Sequence, residues 1–231
     1  EVIEKETRRC KAIVENLMKF ARAEKIQLEP TNLAQVVQDT INLVEHQLTL
    51  AGCKIFKDFQ PCPMVSANGN QLQQVLLNLM VNASHAMENC AKKNVIVRTL
   101  QVGEKAQIQI EDTGTGIPPE VQKKIFEPFF TTKPAGKGTG LGLSVSIGIV
   151  KDHKGEIYLK SEMNQGTTFF IDFPIPEGAK LPTKPLENTH GGAYLTADAK
   201  ALAESKVHEQ KISSAQEQKP AELHTQISAK Q

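Results

Sequence analysis

Tryptophan is absent from this chain and tyrosine occurs only twice. Little material therefore exists for a surface of stacked aromatics. Charge is not in excess either: 27 basic residues face 26 acidic ones, for a formal net charge of +1. Without a basic stripe interleaved with aromatics there is no electrostatic case for nucleic acid as the main partner. The lysine pairs at 92–93 and 123–124 read as solvated faces. No run approaches the roughly 18 apolar residues of a membrane span, and no signal-peptide pattern opens the chain, so no membrane contact is expected of it. The four cysteines, Cys10, Cys53, Cys62 and Cys90, lack the paired spacing of a zinc site and the density of a disulfide framework. A reducing, cytoplasmic setting fits them. Because the chain begins with Glu1, it is expected to be a piece of something longer.

What is present is enough for a core: 231 residues, 39% of them hydrophobic, hold one large domain or two modest ones. Residues 1 to about 27 contain no proline or glycine before Pro30 and place Cys10, Val14, Leu17 and Ala21 on one helical stripe. Two uses fit that stripe, a helical bundle or an ordinary amphipathic helix packed on its own domain. Pro30 closes it. A second helix, capped by Thr31 or Asn32 and stopped by Gly52, turns Leu33, Val36, Val37, Thr40, Ile41, Val44 and Leu48 inward. Cys53 to Phe59 reads as a strand. The strongest helical pattern spans about Asn68 to Asn89, with Leu72, Val75, Leu76, Leu79, Met80, Ala83, Ala86 and Met87 on one face.

Asn78 and Asn82 lie four apart at the flank of that stripe. An amide oxygen is a competent ligand for a hard cation such as Mg²⁺. Alternatively, each amide satisfies a neighbouring backbone group. Strands at Asn94–Leu100 and Ala106–Glu111, joined through Gly103, form an antiparallel hairpin. The second runs into Asp112-Thr-Gly114-Thr-Gly116-Ile-Pro118, where a carboxylate at a strand end could accept a hydrogen bond from an exocyclic amine, or simply cap a turn. Pro118 and Pro119 start a short helix to about Phe126.

Gly136, Gly138, Gly140 and Gly142 fall within seven residues, immediately before an apolar helix at Leu141–Val150. Such a loop can fold its amides around a phosphate at a helix N-terminus; a glycine- and lysine-rich surface loop is the other option. His153 falls in the turn after the helix and reads as a surface or helix C-terminal histidine. Strands follow at Glu156–Ser161 and Gly166–Phe173. From Glu177 onward large apolar side chains thin out, and the last 55 residues read as a low-order tail or linker.

Taken in order, Asn78-x-x-x-Asn82, Asp112-x-Gly114-x-Gly116, Phe126-Glu-Pro-Phe-Phe, Gly138-Thr-Gly-Leu-Gly142 and Gly166-Thr-Thr-Phe resemble the sequence boxes of the sensor histidine kinases of two-component systems. The run Glu127-Pro-Phe-Phe-Thr-Thr-Lys133 is similar to the nitrogen-regulatory subgroup. The resemblance implies a two-layer α/β sandwich with a mixed, largely antiparallel sheet covered on one face by helices. It implies three segments: 1–27 as the end of the dimerisation and phosphoacceptor hairpin, 28–176 as the ATP-binding catalytic domain, and 177–231 as tail. ATP and Mg²⁺ are the implied cofactors, and a response-regulator receiver domain and a second copy of the full-length protein the implied partners.

By the same resemblance Asn82 would ligate Mg²⁺, with Asn78 supporting the metal and phosphate site. Asp112 would receive the adenine amino group and Thr167 would fix that end, with Gly114 and Gly116 letting the base approach. Amides from Gly138 through Gly142, including Thr139, Gly140 and Leu141, would hold the phosphates. Thr131 to Lys137 would form a lid, with Lys133 or Lys137 reaching phosphate. His85 stands where many relatives carry lysine. None of the six histidines opens the family's His-(Asp/Glu)-x-x-x-Pro pattern; His208-Glu209 starts it without the proline. The acceptor histidine is therefore expected upstream of Glu1. The related ATP-hydrolysing clamps place a glutamate four residues before the metal-binding asparagine, and here that place holds Asn78, which cannot take a proton from water. A nucleotide-binding scaffold without transfer is the non-enzymatic alternative.

Overall fold

The computed structural model describes residues 27–133, 138–183 and 193–194. The helix expected over 1–27, the glycine and lysine at 136 and 137, and most of the 177–231 segment lie outside the described residues. The chain divides into two compact units, residues 1–193 and 194–231. The helices and the main sheet belong to the first, and a two-residue strand, Ala193–Tyr194, falls at the boundary.

The first helix, α1 (Leu33–Leu50), starts where Asn32 accepts the Ala34 amide through its side chain, a cap that stabilises by about 1 kcal/mol. Its stripe Leu33, Val37, Ile41, Val44 and Leu48 is buried throughout. At roughly 1.5–3 kcal/mol per fully buried side chain, that stripe fixes which face meets the sheet. Helix α2 (Gly69–Ala86) does the same with Leu72, Val75, Leu76, Leu79, Met80 and Ala83, and its cap Asn68 accepts the Gln71 amide. It stops at Ala86 rather than Asn89: the next amides turn to i→i+3 partners, Met87 to Ser84 and Glu88 to His85, and the Ala86 carbonyl accepts the Thr115 amide.

Five strands of the first unit form the body of the main sheet: β2 (Lys54–Phe59), β4 (Asn94–Val102), β5 (Lys105–Asp112), β6 (Glu156–Glu162) and β7 (Gly166–Pro174), in the order β6-β7-β5-β4-β2. Only β2 and β4 run parallel, and the chain between them passes through α2, the crossover that a parallel pair requires. The other pairs are antiparallel. On the helix-facing side, Val97, Ile110 and Phe169 align across three strands, and Ile108, Ile171 and Ile157 align beside them. With α1, α2 and α4 (Gly142–Asp152) over this face, the two-layer α/β sandwich is the observed architecture. The opposite face carries polar and aromatic pairs, including Arg98 with Glu111 at 2.8 Å and Gln107 with Asp172 at 2.6 Å.

Two short strands, β1 (Glu29–Thr31) and β3 (Val65–Ala67), pair antiparallel in a separate small sheet. Three residues are too few for an alternation to be seen in sequence, and Pro30, expected to end a helix, sits inside β1, as proline can in an edge strand. Helix α3 covers only Pro119–Gln122, not the stretch to Phe126. Beyond it the ladder turns irregular, with i→i+3 bonds from Lys124 to Val121 and Glu127 to Lys124 beside one i→i+4 bond from Ile125 to Val121, and Pro128 has no amide to continue. His153 is the clearest correction. It caps the C-terminus of α4 but is buried, at 2% exposure. Its Nδ1 is 2.7 Å from the Ile149 carbonyl and its Nε2 accepts the Asn68 amide at 3.0 Å. A neutral ring donating from Nδ1 satisfies both bonds. It ties the end of α4 to the start of α2.

Candidate active site

Two clusters flank the C-terminal half of α2. At one end α2 faces the N-terminus of α4. Asn78 Nδ2 donates to Ser146 Oγ at 3.0 Å, and Ser146 donates back to the Gly142 carbonyl at 3.0 Å. The approach is so close that a Cβ on Gly142 would overlap Asn78 Oδ1. A larger residue there would require the Asn78 side chain to move. Asn82 Nδ2 lies 3.5 Å from Asn78 Oδ1, the long limit of a hydrogen bond. Neither asparagine side chain spends its amide on neighbouring backbone, the bland alternative the sequence leaves open. Instead Asn82 Oδ1 accepts Lys133 Nζ at 3.1 Å, and the same ammonium is 2.9 Å from His85 Nδ1. Burial pushes the Lys133 pKa down.

Lys133 is brought there by the turn that follows Phe130, in which its amide donates to Thr131 Oγ1 at 3.1 Å. Gly138, on the far side of the loop, packs beside the same two residues. Gly140, at φ +67°, lies against the backbone of Phe129, itself at φ +66°. The two ends of the segment from Phe130 to Thr139 therefore meet. Thr139 Oγ1 lies 3.4 Å from the Leu141 amide, and Leu141 is buried at the start of α4, whose first turn has no side-chain cap. Among the described residues, no N-cap side chain accepts from the amides that open the helix.

At the other end, Asp112 terminates β5 opposite Thr167 on β7. The carboxylate is 4% exposed, and Oδ1 accepts the Gly114 amide at 2.8 Å. Burial pushes its pKa up to about 6, against the lowering effect of the Gly114 and Thr167 amides, while the neighbouring Glu111 charge adds to the rise. Thr167 Oγ1 is 2.9 Å from Ser161 Oγ, which also bonds the Gly166 carbonyl and receives the Ile117 amide. Gly114 and Gly116 are glycines first for internal reasons. A Cβ on Gly114 would come within 2.9 Å of the Ala86 carbonyl, and Gly116, at φ +72°, abuts the Glu162 carbonyl.

The Thr115-to-Ala86 bond joins the two ends. It seats the Asp112 turn against the last turn of α2, one turn beyond Asn82. Of the residues singled out in the sequence, Asn78, Asn82, Lys133, Gly138, Gly140 and Gly142 gather at the first end and Asp112, Gly114 and Thr167 at the second. Ser146 and Ser161 escape sequence reasoning. Ser146 carries a signal, a polar residue in an apolar helix; Ser161 carries none. Among the described residues, no cluster of three or more His, Cys, Asp or Glu could hold a metal.

Known proteins share this fold. Residues 67–177 match the family described as histidine kinase-, DNA gyrase B- and HSP90-like ATPase. The chain is 38% identical over 191 residues to the sensor kinase CckA of Brucella abortus, and 36% identical over 184 residues to the histidine-protein kinase AtoS of Escherichia coli. The alignments take in 74% and 77% of this chain but only 20% and 29% of those relatives. Among solved structures, the catalytic domain of the histidine kinase ThkA superposes with a TM-score of 0.58 at 30% identity, covering 65% of this chain and 97% of that one. The fold and the family match define an ATP-binding domain of the kind shared by these kinases, gyrase and HSP90. Within that class, the chain belongs to the sensor histidine kinases, as their ATP-binding catalytic domain.

Proposed function

We propose that this chain binds ATP with Mg²⁺ and delivers the γ-phosphoryl group to a histidine on a segment preceding residue 1, for relay to a response-regulator receiver domain. The observation that carries the reading is the joining of the two clusters by one helix. Asp112 sits at the end that accepts an adenine amine, and Asn82, Lys133 and the α4 N-terminus sit at the end that receives phosphates. When ionised, the buried carboxylate is an acceptor on both oxygens and carries no donor, which suits an exocyclic amine. The uncapped amides at Gly142 to Ser144 favour negative charge through the helix dipole. Thr139 and the glycines at 138, 140 and 142 allow backbone to approach it.

Asn82 Oδ1 already faces a cation, the Lys133 ammonium, so the donor fits a hard divalent ion held by one protein oxygen, with phosphate oxygens and water completing the shell. Such an ion, when bound, neutralises charge on the phosphates. The chain's own contribution is positioning. Asn78 is fixed by Ser146 and in turn orients Asn82, and no carboxylate stands where a hydrolysing relative would activate water. That favours transfer over hydrolysis. The Glu127-Pro-Phe-Phe-Thr-Thr-Lys133 run supports the nitrogen-regulatory-like subgroup. The Cys10-to-Ala21 stripe supports dimerisation through the preceding hairpin in the full-length protein. Cys53, Cys62 and Cys90 are free thiols, which supports a cytoplasmic setting. Among the described residues, no helix is long and apolar enough to cross a membrane.

The test uses γ-labelled ATP with this chain and with the same chain extended toward its N-terminus. The expected result is label on a histidine before residue 1 in the extended protein and none in residues 1–231. Label on a histidine within this chain, or rapid release of phosphate by it, would overturn the proposal.

A further inference from the structure

Lys133 makes two hydrogen bonds that a surface lysine has no need of. Its ammonium donates to Asn82 Oδ1 at 3.1 Å and to His85 Nδ1 at 2.9 Å. Asn82 and His85 are three apart on α2, so one side of the helix presents both acceptors. The lysine reaches them from the turn after Phe130, anchored by its own amide on Thr131 Oγ1 and packed against Gly138, where an added Cβ would come within 3.3 Å of Lys133 Cδ. Half-burying a flexible lysine costs side-chain entropy, and the two acceptors offset that cost. The ammonium is thus held on the oxygen that suits a divalent cation. A hard cation uses the same amide lone pairs as the ammonium, and two positive charges a few ångströms apart in a partly desolvated cleft repel strongly. Both cannot occupy Asn82 Oδ1 together.

We propose that the Lys133 ammonium and a divalent cation are alternative occupants of Asn82 Oδ1, with His85 as the positioning residue that holds the ammonium there while the cation is away. This rests on the reading of the site as an ATP and Mg²⁺ seat and adds a competition within it. Loading the site displaces the ammonium from Asn82. The tether at Thr131 then leaves it at the phosphate end, as a counter-charge supplied only when nucleotide arrives with metal. His85 affects metal binding without touching metal.

The experiment measures ATP affinity by calorimetry over a range of free Mg²⁺ for the whole chain, its His85→Ala and His85→Asn variants, and Lys133→Met. A hydrogen bond to a charged group is worth about ten- to a hundredfold in an equilibrium, and less where the bond is exposed, as that between Lys133 and His85 is. His85→Ala keeps the lysine charge but loosens the ammonium. It is expected to lower the Mg²⁺ concentration giving half-maximal enhancement by about three- to tenfold. His85→Asn, whose amide oxygen can replace Nδ1 as acceptor, should stay near the parent value, and Lys133→Met should fall at least as far as His85→Ala. An unchanged or raised Mg²⁺ requirement in His85→Ala overturns the competition even if the parent binds ATP normally. Failure of the parent to bind ATP at any Mg²⁺ concentration instead overturns the reading of the site.

Discussion

On the proposed reading, Asp112 is the residue on which nucleotide selectivity turns. A carboxylate that is nearly sealed from water yet held by backbone amides is poised between two demands, desolvation favouring the neutral form and hydrogen bonds favouring the charged one. Burial wins, placing its pKa at about 6. ATP affinity is expected to fall as pH drops through about 6, because protonation removes acceptor capacity, and calorimetry with Asp112→Asn should lose that pH dependence together with about ten- to a hundredfold in affinity. Stability carries the opposite sign. Since the folded pKa lies above the ordinary 3.8, the native state binds more protons between those values, so stability is greatest below about 4 and declines as pH rises to about 6. Chemical denaturation of parent and Asp112→Asn across that window isolates the contribution as the difference between the two slopes.

The elements that matter most are α2 and α4, clasped at both ends. His153 ties the close of α4 to the opening of α2, and the Asn78–Ser146–Gly142 chain ties the middle of α2 to the opening of α4. His153→Ala leaves the Asn68 amide and the Ile149 contact without the ring, and should lower stability by about 1–3 kcal/mol in urea titration. Gly142→Ala forces a methyl onto Asn78 Oδ1. It should weaken ATP binding by about tenfold or more through displaced positioning groups, read by calorimetry at a temperature where circular dichroism shows the variant folded.

Both helices are legible in the sequence, α2 because its apolar stripe is regular and α4 because the run Leu141–Val150 is apolar almost throughout. Their clasp is not: a histidine in a turn after a helix looks like any exposed C-terminal histidine, and only the fold reveals that its ring reaches a backbone amide 85 positions away in sequence. The same holds for Ser161, which joins Ile117, Gly166 and Thr167 across three segments.

At the scale of the whole molecule, the five main strands follow from alternation and turn residues, whereas the small β1–β3 sheet does not. Pattern needs length, and three-residue strands have none. In the sequence the glycines at 114 and 116 look like room for a base, but their near neighbours include the Ala86 and Glu162 carbonyls. Close packing of the chain on itself leaves the same mark in sequence as room for a ligand.

The central claim is that both clusters grip one nucleotide, and it is tested most directly by titrating ATP with Mg²⁺ into the parent chain, Asn82→Ala and Asp112→Asn, with GTP as the control. The account predicts one site per chain, weakened by either substitution from opposite ends of the ligand. It predicts no comparable binding of GTP, whose base presents a carbonyl oxygen where adenine has the amine that Asp112 would receive. No heat and no thermal shift with the parent, or unaltered affinity in both variants, would contradict it.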